Sequence, residues 1–202
     1  MELVSSDIIV DSMIDMLRGY GLVTPDSERY QRYTAYHKIA FVNLFSRLAG
    51  NVMKLTGNLN EYRHDTDKLV LYGILGKKET SKLHKIYSGH HFPNCLRSVE
   101  STVHCLIDYE CSRFTKADKP ENAYEVVCRY NSHKLLKEYL IDMGINSRNR
   151  KEFKGIGNGL TRELEDIMLL ILKFDIDSIT SDIDMYGIDK ALRLYDESMC
   201  WE

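Results

Sequence analysis

Proline is scarce in this chain, with three residues in 202. Long helices can therefore run without an internal break. A surplus of basic charge is also missing: 27 Lys and Arg stand against 30 Asp and Glu, for a formal net charge of −3. That balance excludes the broad positive field through which proteins neutralise the phosphates of duplex nucleic acid, while leaving room for a small anionic ligand in a local pocket. Paired cysteines are lacking as well. Cys95, Cys105, Cys111, Cys128 and Cys200 are odd in number and spread out, and no Cys-x-x-Cys occurs. Neither a disulfide framework nor a thiolate zinc site is expected, and a reducing cytoplasm fits best. The longest apolar run, Ile167 to Leu172, falls far short of the ~20 residues that span a bilayer. The start, MELVSSDIIVDSMIDML, is acidic with no basic segment before an apolar run, so it does not read as a signal peptide. No membrane association is expected. Period-two alternation is nearly absent outside the ambiguous FDIDSITSDIDMYG at residues 174–187.

What is present is helical spacing. With 44% apolar residues the chain is long enough for one sizeable core, and i, i+3, i+4 patterns recur throughout. The reading is an all-α fold. The clearest helix starts at TPDSERY, where Thr24 can cap, Pro25 suits the first turn and Asp26 and Glu28 complement the dipole. It should run to Thr56, with Gly57 as a left-handed stop. Along it His37, Phe41, Leu44, Leu48, Val52 and Leu55 share one face, so His37 points inward. Further helices are predicted near residues 5–18, 60–75, 79–88, 95–114, 121–143, 160–174 and 188–199. Residues 115–121 and 144–159 read as loops.

Seven histidines carry most of the functional signal. His37, His64, His84, His90, His91 and His104 lie within one third of the chain, and only His133 lies outside it. Imidazole and carboxylate are the ligand pair that holds divalent transition metals, and a site needs them to converge from several segments. The candidates are His37, the pair His64-Asp65 in YRHDTDKL, His84, the pair His90-His91, and Asp108 in VHCLIDYECSR. An aspartate flanked by CLI and Tyr is expected to be largely buried, which is costly unless the carboxylate is paired or binds metal. Each has a plainer reading: His37 as a satisfied core histidine, His64-Asp65 as a solvated turn, Asp108 as the partner of His104, and the loop histidines as exposed.

In this order the residues resemble the His…His-Asp…Asp signature of the HD-domain superfamily of helical metal-dependent phosphohydrolases. HDTDKL, HKIYSGHHFP and CLIDYECSRFTKADKPENAY together look like a small phage and bacterial branch with HD-x-S-K and HHPE motifs, over about residues 30–130. The resemblance implies a single HD-type helical domain over 1–202, with a core at about 25–143 and a C-terminal helical extension at about 144–202. It implies that His37, His64, Asp65 and Asp108 bind one metal. His84, His90 and His91 are the candidates for a second, and the ions would be one or two of manganese, iron, cobalt, zinc or nickel. Lys68 matches the lysine of HD-x-x-K forms that faces the substrate phosphate. The chain departs from the pattern where His90-His91 is followed by Phe92-Pro93 rather than Pro-Glu, and no Gly-Tyr-Pro follows.

The implied activity is hydrolysis of a small phosphorylated molecule, a nucleotide first, by metal-activated water. Arg63 and Arg113 would add charge-assisted donors to the phosphate. Asp67 would orient the water or a metal-bound histidine. Two other classes stand beside it: a di-iron oxygenase on the same fold, and a non-enzymatic helical binding protein stapled by a structural metal. Homo-oligomerisation is left open.

Overall fold

The structure is a computed structural model that describes residues 2–56, 60–118, 121–129, 133–145 and 153–199. It is all-α: among the described residues the regular structure is eight α-helices, two short 3-10 turns and one two-stranded ribbon. The elements are β1 (Leu3–Ser5), α1 (Ser6–Gly19), α2 (Glu28–Thr56), α3 (Thr66–Tyr87), α4 (Val99–Thr115), α5 (Ala123–Val127), α6 (His133–Asp142), β2 (Gly159–Thr161), α7 (Arg162–Tyr186) and α8 (Ile188–Met199). No helix among the described residues is long and apolar enough to cross a membrane.

Contacts divide the chain into two compact units, each built from separate segments. The first comprises Met1–Lys38, Tyr62–Ser88 and Gly159–Glu202. In it β1 pairs antiparallel with β2, Val4 opposite Leu160. Helix α1 buries Ile9, Val10, Met13, Ile14 and Leu17, and α7 buries Met168, Leu172, Ile176 and Ile179. Each such side chain stabilises the unit by about 1.5–3 kcal/mol. Residues 159–199 thus belong to the same unit as the N-terminal segment.

The second unit comprises Ile39–Glu61 and Gly89–Asn158. Its core joins Phe41, Leu44, Leu48 and Val52 of α2 to Val103, Leu106, Ile107 and Cys111 of α4, with Leu136 and Leu140 of α6 closing it. The buried carboxylate of Glu110 accepts from the backbone N–H of Ala123 at 3.2 Å and so caps α5. Cys95, Cys105 and Cys111 are free and buried, and Cys128 is free and exposed.

Three expectations need correction. Helix α2 starts at Glu28 rather than beside Thr24, because Thr24 and Ser27 bond reciprocally in a preceding turn: each side-chain oxygen accepts from the other's backbone N–H. Its end at Thr56 agrees, and Gly57 lies outside the described residues. The helix predicted at 60–75 opens at Thr66 instead; it and the one predicted at 79–88 are two helices joined across a kink at Gly76, whose φ of 69° and ψ of 178° lie outside the helical region, as the predicted boundary has it. The FDIDSITSDIDMYG stretch continues α7, since Leu172, Ile176 and Ile179 also keep helical spacing.

Candidate metal centre

The HD pair sits in a turn between a 3-10 segment at Glu61–Arg63 and the first residue of α3. Asp65 occupies the left-handed region, with φ 58° and ψ 16°. Aspartate is one of the few non-glycine residues that tolerates this conformation. The result is that His64 and Asp65 project from the turn while Asp67 and Lys68 lie on the first turn of α3, with His84 near the other end of the same element.

All of these side chains belong to the first unit. Asp65, Asp67 and His84 are buried and present ligand atoms that all lie within 4.8 Å of one another. The Asp65 carboxylate lies between two imidazoles, its Oδ1 3.2 Å from His84 Nε2 and its Oδ2 3.6 Å from His64 Nε2. The rings of His37 and His64 are 5.3 Å apart. Behind His84, Nδ1 meets Asp67 Oδ2 at 2.6 Å. This is the carboxylate–histidine arrangement that fixes tautomer and ring orientation at metal sites, leaving Nε2 as the ligating nitrogen.

Electrostatics support the same protonation pattern. Burial pushes the His84 imidazole below its ordinary value, against the pull of Asp67. Burial alone would raise Asp67, but the charge and hydrogen bond of His84 outweigh it and hold the carboxyl low. At neutral pH the pair is therefore a carboxylate accepting from the Nδ1–H of a neutral imidazole. Two carboxylates and an imidazole in a buried cluster suit a divalent transition ion.

Lys68, expected at the substrate phosphate, donates to Asp65 Oδ2 at 2.9 Å, with its side chain 19% exposed. Arg63 is occupied elsewhere. Its Nε donates to the buried Asp175 carboxylate at 2.9 Å, its Nη1 donates to the Ser198 carbonyl at 3.1 Å, and its guanidinium lies 4.8 Å from the Tyr195 ring centroid. In the second unit Asp108 is buried on α4, one turn after His104. His104 stacks on His90 and is tilted against Phe41, with both centroid separations 4.6 Å, and His91 lies 4.5 Å from His90. Arg113 lies in the last turn of α4.

Sequence reasoning missed Lys38. It is fully buried, and its Nζ donates to the His64 carbonyl at 2.8 Å and to Thr66 Oγ1 at 2.9 Å. Burial lowers its pKa to about 8, while Asp175, Asp65 and Asp67 pull the other way. The inward face of α2 was legible through His37, yet a lysine beside it gives no signal of burial. Asp175 and Tyr195 were likewise missed, since only the fold brings them to Arg63.

No protein-family model, curated protein or solved structure matches the chain.

Proposed function

We propose that this chain is a metal-dependent phosphohydrolase of the HD type, acting on a small phosphorylated molecule, a nucleotide first. One observation carries the reading: the buried His64 and His84 imidazoles both face the Asp65 carboxylate, with Asp67 behind His84. An ion held there would supply a bound water of lowered pKa and a positive charge for a phosphoryl oxygen. The chain's own groups prepare that step. Asp67 keeps the proton on His84 Nδ1, so that Nε2 offers its lone pair toward Asp65. Lys68 donates to the Asp65 carboxylate and leaves its ammonium at the partly exposed rim, where a phosphate oxygen can accept from it.

Elemental analysis combined with a phosphate-release screen over nucleotides and cyclic nucleotides, with manganese, cobalt, iron and magnesium supplied in turn, tests this reading. The expected result is about one or two bound ions and their loss in His64→Ala and Asp65→Ala with helix content retained. Full metal retention in both variants sinks it.

The depth of burial of His64, Asp65 and His84 favours a second reading, a binding protein whose metal is structural. Under that reading chelation melts the protein, whereas under the first it stops turnover and leaves the fold.

A further inference from the structure

We propose that Lys38, a residue outside the donor set, is a positioning residue that presets the turn carrying His64 and Asp65. The inference rests on the metal reading above. The Lys38 ammonium bonds on both sides of Asp65, to the carbonyl before it and to the Thr66 hydroxyl after it. Those two bonds straddle the one non-glycine residue with positive φ among the described residues. A left-handed aspartate persists only where its surroundings over-determine it. The preceding peptide is held too: the Tyr195 hydroxyl lies 2.8 Å from the Arg63 carbonyl oxygen and 3.1 Å from Asp175 Oδ2. Arg63, His64 and Thr66 are thereby fastened, the last two through Lys38. Burying an ammonium is unfavourable, and a packing role would be served as well by methionine. What methionine cannot do is donate to both flanking groups. The consequence of those bonds is that His64 and Asp65 are aimed before any ion arrives, which lowers the ordering cost of binding.

The test uses the full chain and two readouts. In metal-free protein, long-range 1H–15N spectra follow the imidazoles of His64 and His84, assigned with His64→Gln and His84→Gln. Lys38→Met is expected to shift both, because release of the turn displaces Asp65 from His84. A local packing change would move His64 alone. Cobalt(II) binding, read from its visible bands, should weaken by about tenfold to a hundredfold with altered band positions. Unchanged His84 resonances in folded Lys38→Met overturn the proposal, whether or not cobalt binds. Wild-type protein that takes up no cobalt overturns the metal reading instead, and the imidazole comparison still decides for Lys38. If Lys38→Met does not fold, Thr66→Val removes one acceptor while keeping the side-chain shape; shifts at both histidines support the proposal, and no shift at His84 overturns it.

Discussion

At Asp67 a single hydrogen bond decides which nitrogen of His84 can act. With Nδ1 committed to the carboxylate at 2.6 Å, only Nε2 is left to face Asp65. Asp67→Ala should therefore weaken metal binding by about tenfold to a hundredfold, with a smaller loss in Asp67→Asn, whose amide oxygen still accepts. Competition against a chromophoric chelator measures both. Asp175 offers a test by pH. Burial raises its carboxyl above the ordinary value of 3.8, despite the opposing charge of Arg63. The native state then holds this proton more tightly than the unfolded chain does, so its contribution to stability is full below 3.8 and is lost as pH rises through the folded value. In Asp175→Asn that loss is absent. The stability of wild type relative to the variant should fall with rising pH on the alkaline side of 3.8, as read from urea midpoints.

At the scale of elements, α3 carries Asp67, Lys68 and His84 together, so its seating matters more than its length. Gly73 sets that seating: a Cβ built there would lie 1.9 Å from the carbonyl oxygen of Leu22. Gly73→Ala must push the Leu22 segment away, at a cost of about 1–3 kcal/mol or more, and a thermal melt should show a lowered midpoint. In α7, Leu172→Ala should cost about 2–5 kcal/mol by leaving a cavity beside Ile176. The helices themselves were legible because their apolar spacing is local information. His37, Phe41, Leu44, Leu48 and Val52 repeat every three or four residues and all prove buried. The start of α2 was displaced because two capping residues lie three apart, and their mutual bonds are a choice spacing does not reveal. His64, Asp65 and Asp67 were visible as a dense polar pattern. Lys38 was not, since burial of an isolated ammonium follows from distant acceptors rather than from its neighbours in sequence.

The whole molecule is discontinuous in both units, which has a direct consequence for dissection. A fragment spanning residues 25–143 contains the HD turn yet lacks Asp175, Tyr195 and Ser198, the groups that engage Arg63. Such a fragment should lose metal uptake and much of its helical circular dichroism; uptake equal to that of the full chain would show that residues 159–202 are dispensable for the site. The distribution of thiols turns the same discontinuity into a means of observation. Cys95, Cys105 and Cys111 lie inside the second unit, and burial raises the Cys105 and Cys111 thiols well above their ordinary value, while Cys128 stands at its surface. Brief alkylation of the native protein should mark Cys128 before Cys95, Cys105 and Cys111, which react only when that unit opens. The rate of their modification is thus a clock for the opening of one unit, kept in the same chain as the candidate metal centre of the other.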